Sequence, residues 1–459
     1  MSVGAPSSAP GFTERVAEEV LAFKLSELPP VALERTRHAV LDWLGVAIAG
    51  SQEESGRIAR GLVMADPGRP VASIVGTPDR ASAQQATLVN AIAAHALDYD
   101  DSSSWAGGHP SAPIISSAVA LGQARGASGS EIMLAIVAGM QGQARVALAT
   151  GSSPYQNGFH GTGTFGTFGA AAACGRLLDL DVERMRCAFG LAATQAAGLK
   201  VSFGTMGKHL NAAKAGVNGS LAATLAARGF TAPLDAIEAH QGFEPTHSTT
   251  FDPGRPYAIM GDRLAIGSLL FKGHACCHGT HSAIEGAKRL RAEHDFEAGD
   301  VQHVRLLVPA SLPDVCGISE PVTGLEGKFS IRYAITLALS DLPTGPSSFT
   351  DEMVHRPPLV DLRRRVEVEP TPEREAGAPT RVIIDLLGGV TLTAEVDVLE
   401  PAPDETLGLQ WETLRTKFES LAAPVVGIDR ALAQIDAVSH LEDVAQVDDL
   451  LERVPIPTR

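Results

Sequence analysis

A mainly α fold is predicted for this sequence, with a large all-helical domain formed by both chain ends and a smaller α+β domain inserted between them. Three observations carry that expectation. Hydrophobic residues make up 44% of the chain but aromatics only 5%, and Ala-rich apolar runs at helical spacing favour close-packed helices over a sheet sandwich. After about residue 268 the texture changes to alternating, strand-like segments. Helical periodicity then returns behind Pro401 and Pro403. A chain of 459 residues is too long for one ordinary core. The expected units are residues 1–267, 268–401 and 402–459, the first and last forming one helical domain.

Each element has its own signal. VALERTRHAVLDWLGVAIAG (31–50) starts behind Pro29-Pro30 and stops at Gly50, as helix boundaries should. QQATLVNAIAAHAL, PIISSAVALGQARG, SEIMLAIVAGMQGQARVALATG and NAAKAGVNGSLAATLAARGF repeat the pattern, and small residues every three or four positions let such helices approach closely. In the inserted unit, VQHVRLLVPA (301–310) alternates like a strand. TRVIIDLLGGVTLTAEVDVL (380–399) reads as two strands joined at Gly388-Gly389. KFSIRYAITLALSD lies between them as a helix, and PDETLGLQWETLRTKFESLAAP resumes helical spacing. There is no internal repeat.

Charge and composition exclude several function classes. The formal net charge of −16 and the lack of a Lys/Arg run give no field that would draw the protein to nucleic acid or an anionic membrane. MSVGAPSSAPGFTERVAEEV lacks the basic and apolar regions of a signal peptide, and the apolar stretch at 39–49 is short and interrupted by Asp42, so a soluble cytoplasmic protein is expected. Five cysteines (Cys174, Cys187, Cys276, Cys277, Cys316) without a CxxC suit reduced thiols. No metal or cofactor is expected.

Four glycine-rich breaks carry candidate chemistry. GTGTFG (161–166) fits G-x-G-x-x-G but follows no strand, which removes the dinucleotide reading. A turn opening a helix still offers N–H groups to a carboxylate or phosphate, and His160 stands directly before it. In FGTMGKHLNAAKAGVNG, His209 follows Gly207-Lys208 where a phosphate loop needs Ser or Thr. Lys208 is then either an anion-binding group at a helix start or a solvated lysine, and Lys214 should lie off its face. FKGHACCHGTHSAIEGAKRL gathers Lys272, His274, His278 and His281; a metal face would need one continuous helix, which Gly273 and Gly279 oppose, so a cationic substrate-binding loop is the better reading. HALDYDDSSSWAGGHPSAP (95–113) reads as a helix end placing Asp98 and Asp101 on one face, then a loop to His109. Capping explains most of its Asp and Ser residues. Capping does not explain why His109, His160, Lys208 and Lys272 all sit in such breaks, which suggests a local anion pocket in an acidic protein.

Taken together, HALDYDD with HPSAP, GFHGTGTFGTFGAAAACGRLLDLD, SFGTMGKHLNAAKAG, FKGHACCHGTHSAIEGA and KFSIRYAI resemble the MmgE/PrpD family, in the family's order over about residues 12–340. That family includes 2-methylcitrate dehydratase, cis-aconitate decarboxylase and iminodisuccinate epimerase. The resemblance implies a helical body with an α+β lid, a homodimer, and cofactor-free chemistry on small polycarboxylates. By motif it carries over Asp98, His109, His160, Lys208 and Tyr333 as catalytic residues and Ser102 and Lys272 as substrate-binding ones, with His274, Cys277 and His278 beside them in the lid segment. Cys277 stands where cis-aconitate decarboxylases carry a histidine, which weighs against decarboxylation. The implied reaction moves a proton at a carbon next to a carboxylate, with Lys208 and Lys272 neutralising charge, His109 and His160 as base and acid, and Asp98 orienting one ring. Dehydration of a methylcitrate-like hydroxy acid comes first, epimerisation of an iminodisuccinate-like dicarboxylate or cis-aconitate-type decarboxylation second, and a non-catalytic scaffold third.

Overall fold

The computed structural model describes residues 10–375 and 377–452. Its fold is mainly α, as the apolar periodicity predicts. The helical body is built on Pro30–Gly50, Ala83–Ala96, Ser111–Arg125, Gly129–Thr150, Gly166–Leu177 and Gly207–Ala227. These helices are apolar on most of their circumference because they are surrounded by one another. The 129–150 helix opens with a capping box, Ser128 with Glu131. By length and composition it could cross a bilayer, yet it is almost wholly buried within the body.

The C-terminal segment returns to this body. Helices Leu407–Val426 and Ile428–Ser439 place Leu414, Phe418, Ala422 and Val438 in the same hydrophobic cluster as Leu41, Trp43 and Leu44. The leucine, phenylalanine and valine side chains each contribute roughly 1.5–3 kcal/mol when fully buried. Asp42, the residue that interrupts the apolar run, meets Lys417 of the returning helix at 2.6 Å. Lys417 also donates to the carbonyls of Tyr99 (2.7 Å) and Lys272 (3.1 Å). One buried ammonium thereby ties together three segments around the candidate site.

Residues 275–394 supply a second cluster of their own. Here a four-stranded sheet has the order 366–371, 301–309, 381–386, 391–395. Strand Val301–Pro309 pairs parallel with Val366–Thr371 and antiparallel with Arg381–Leu386, which turns back through Gly388-Gly389 into Thr391–Glu395. Val304, Leu306 and Val308 are buried while Arg305 and Leu307 between them are not, the alternation of a sheet covered on one face. Helices His281–Glu293 and Ile331–Leu339 pack on each other and on this sheet. The strand at 366–371 was not foreseen: its VEVEPT alternation is carried partly by glutamates.

Candidate active site

The site is assembled where helices break. The 83–96 helix ends before Asp98, whose φ of 51° is a left-handed conformation that Asp tolerates better than most residues. Asp98 and Asp101 therefore do not share a helical face, which corrects the sequence expectation. The turn aims the Asp98 carboxylate at two ammonium groups: Oδ1 lies 2.7 Å from Lys208 Nζ and 3.0 Å from Lys272 Nζ. Lys272 also donates to the Asp98 carbonyl at 2.9 Å. All three side chains are buried, so Lys208 is no solvated surface lysine, whereas Lys214 is exposed. Burial would raise the Asp98 carboxyl, but the two lysines outweigh it and hold it well below the usual range.

Glycine brings the two histidine loops together. A Cβ on Gly161 would stand 1.9 Å from the Gly107 carbonyl oxygen, and one on Gly108 would stand 2.7 Å from the Thr162 nitrogen. Only backbone fits between the 107–109 and 160–162 segments. Thr162 Oγ1 accepts from the His109 amide at 3.0 Å, and the ring centroids of His109 and His160 come to 6.5 Å. The amides of Gly163 and Thr164 both donate back to the His160 carbonyl, so they are not free for an anion as the motif suggested. His95, in the last turn of the 83–96 helix, sits 4.8 Å from His109 and 5.9 Å from His160 between ring centroids.

The partners of each ring assign its proton. His109 Nδ1 is 2.7 Å from the Asp101 carbonyl oxygen; a carbonyl only accepts, so Nδ1 carries the hydrogen and Nε2 a lone pair. Asn211 Nδ2 lies 3.1 Å from His160 Nδ1 and 3.2 Å from the Leu199 carbonyl. The carbonyl fixes that nitrogen as the donor end of the amide, so His160 Nδ1 accepts and Nε2 carries the hydrogen. His95 donates from Nδ1 to Asp100 at 2.7 Å and accepts at Nε2 from Lys208 at 2.9 Å. The cluster thus holds one imidazole ready to take a proton beside another that offers one.

Burial, reinforced by the neighbouring lysines, holds His95, His109 and His160 well below the usual imidazole range. The folded protein keeps them neutral at a pH where an unfolded chain, with its imidazoles near pKa 6.5, takes up the protons. The unfolded state then binds more protons, so stability falls as pH drops below about 6.5, by roughly 1.4 kcal/mol per pH unit for each such ring. Asp101, pushed up to about 8 by burial, works in the opposite sense and offsets about one ring. His209, lowered to about 3, and His278, lowered to about 4, both chiefly by burial, add to the loss. The urea midpoint is expected to be clearly lower at pH 5.5 than at pH 7.5; equal midpoints would mean that the rings are not held neutral.

Donor atoms of His95, Asp98, Asp100 and His109 lie within 4.8 Å of one another, a spacing that a metal ion could use. Two ammonium groups already supply the positive charge at Asp98, and both nitrogens of His95 are engaged. The donor set as folded is built around lysine.

Of the remaining sequence candidates, Ser102 Oγ donates to His278 Nδ1 at 2.6 Å, because His278 Nε2 is the donor to the Val398 carbonyl at 3.2 Å. Ser102 also forms a backbone bridge with Leu270. The Cys277 thiol is lowered chiefly by a hydrogen bond from Cys316 and feels the charges of Asp98 and Lys272. Two candidates are not brought to the cluster. Both ring nitrogens of His274 are used inside the inserted unit, Nδ1 by Thr344 at 2.6 Å and Nε2 by Glu285 at 2.8 Å. Tyr333 donates its hydroxyl to the Ser348 carbonyl at 2.6 Å and packs on Phe349. Ser330 caps the helix through the Tyr333 amide, which turns the tyrosine into the core of the inserted unit. What KFSIRY contributes instead is Lys328, whose Nζ donates to the Ala96 carbonyl at 3.0 Å.

His95, Asp100, Asn211 and Lys328 escaped the sequence reading. Asn211 had a usable signal, one turn after Lys208 on the same helix, and Lys328 another, following a glycine in GLEGK. His95 had none, since a histidine on an apolar helix is ordinarily a satisfied core residue.

Family models described as the MmgE/PrpD N-terminal and C-terminal domains match residues 14–256 and 274–443. Among curated relatives, a cis-aconitate decarboxylase of Aspergillus terreus is 25% identical over 98% of this chain and 97% of its own length. Those of Mus musculus and Homo sapiens are each 26% identical over 94% of this chain, covering 91% and 92% of their own lengths.

Proposed function

The chain belongs to the MmgE/PrpD family, and from that premise we propose that it is a lyase acting on a small di- or tricarboxylate by acid/base chemistry, dehydrating a methylcitrate-like hydroxy acid. The observation that carries this reading is an Nε2 lone pair on His109 and an Nε2–H on His160, on rings 6.5 Å apart between centroids, in one cluster with two ammonium groups that share one carboxylate. A substrate carboxylate at Lys208 and Lys272 has its charge neutralised there, which eases loss of a proton from the adjoining carbon. His109 Nε2 takes that proton, the C–H electron pair becomes the new C=C bond, and the C–O bond breaks. His160 Nε2–H hydrogen-bonds the departing oxygen, and the His109 imidazolium returns its proton to it. The hydroxyl leaves as water and both rings finish neutral.

A hydroxy acid is also favoured by Asp98 Oδ2, which is buried with no hydrogen-bond donor among the described residues. A substrate hydroxyl would satisfy it, and an unmet buried acceptor costs on the order of 1–3 kcal/mol. Tyr333, which the resemblance implies as catalytic, has no part in this scheme, its hydroxyl being held by the Ser348 carbonyl.

Decarboxylation of the cis-aconitate type is the second reading, favoured by the likeness to cis-aconitate decarboxylases over nearly the whole chain. There a C–C bond breaks, carbon dioxide leaves, and the electron pair takes a proton, for which Lys208 is a charged donor. The test is incubation with 2-methylcitrate and with cis-aconitate in heavy water, followed by proton NMR and carbon dioxide measurement. A vinylic product from the hydroxy acid without carbon dioxide is the expected result. Carbon dioxide release from cis-aconitate would install the second reading, and deuterium entry with inversion but no alkene would indicate an epimerase. No change in any candidate acid would remove the lyase.

A further inference from the structure

We propose that Lys328 is a third cation of this site, binding a second, remote carboxylate of the substrate and thereby selecting polycarboxylates over monocarboxylates; this rests on the polycarboxylate reading above. Its ammonium is buried with a single neutral partner, the Ala96 carbonyl at 3.0 Å. Every other lysine buried near the cluster has a carboxylate within 3.0 Å: Lys208 and Lys272 have Asp98, and Lys417 has Asp42. Among the described residues Lys328 has no such counter-ion. A buried charge without one is costly, and burial accordingly lowers this ammonium to about 8. An arriving carboxylate would supply what the protein does not.

Position supports the role. Ala96 is the last residue of the helix that precedes Asp98, so Lys328 reaches from the inserted unit to the same helix end that Lys208 and Lys272 face. That end carries partial negative charge, which holds the ammonium in place between substrates. Phe329, the next residue, stacks on Phe203 at 5.3 Å, and the Lys208 ammonium lies 5.4 Å from the Phe329 ring centre. Phe203 and Phe329 thus form an apolar wall that links Lys328 to Lys208. A cleft of about 570 Å³ between body and inserted unit, a size typical of small-molecule sites, is lined by Lys328 together with Ala96 and His209, and also by the acidic residues Glu53, Glu54, Glu326 and Asp351, none of which pairs with Lys328.

The experiment is calorimetric titration of the full chain with tricarballylate, which has three carboxylates and no hydroxyl to lose, and a competition titration with propionate, which has one. Lys328→Met is expected to weaken tricarballylate by about tenfold or more, the scale of a lost hydrogen bond to a charged group, with propionate changed less than about twofold. Lys328→Arg, which keeps the charge, should recover most of the tricarballylate affinity and guards against a methionine variant that fails to fold. Tricarballylate binding unchanged in Lys328→Met, or propionate weakened equally, would overturn the proposal. A native chain that binds neither acid would overturn the polycarboxylate reading along with it.

Discussion

Lys208→Ala is expected to lower kcat by about 10²–10³-fold, the usual consequence of removing one positioned charge from a developing anion, while leaving the fold intact. The loss has two components. Lys208 supplies one of the two ammonium groups at Asp98 and is the donor to His95 Nε2, so its removal deprives the substrate carboxylate of a cation and frees the His95 ring. The fold survives because Lys272 still neutralises Asp98 from 3.0 Å; no uncompensated carboxylate is left buried. Circular dichroism and a thermal midpoint measured beside kcat separate the two effects. Near-normal turnover in a folded variant would take Lys208 out of the mechanism.

His109→Gln should cost about 10²–10⁴-fold in kcat, the range for a positioned proton-transfer group. Glutamine approximates the ring's length and can donate to the Asp101 carbonyl, but it offers no basic nitrogen. Because His109 acts on the carbon-bound proton, exchange of that proton with heavy water should disappear along with product formation. KM should change much less, since the carboxylate contacts lie with the lysines. His160→Gln makes the contrast: the base is retained, so deuterium exchange should outlast elimination. If exchange persisted in His109→Gln and vanished in His160→Gln, the two roles would have to be reversed.

Much of the fold was legible because its signals are local. Proline and glycine punctuation placed the helix now seen at Pro30–Gly50, and the Gly388-Gly389 pair placed the hairpin between 381–386 and 391–395. The strand at 366–371 was missed because Glu367 and Glu369 dilute its apolar alternation. For the site, glycine-rich breaks between apolar helices led to Asp98, His109, His160, Lys208 and Lys272, which the structure brings together. Tyr333, implied by the family resemblance, and His274, from the lid segment, are not brought to that cluster. A motif tells which residue type recurs, but helix phase tells where it points, and here Ser330 and Glu285 commit those two side chains elsewhere.

The sequence by itself determined the mainly α architecture, the inserted α+β segment and the inventory of cations held in breaks, since each follows from periodicity or composition within a short window. Only tertiary structure decided that two ammonium groups meet one carboxylate across 110 and 174 residues, which ring nitrogen of each histidine carries the proton, and that Lys328 reaches Ala96. Those outcomes depend on backbone approaches such as Gly107 against Gly161 and on hydrogen-bond partners far apart along the chain. Neither leaves a trace in local spacing, because the energy that fixes them arises only once separate helices pack against each other.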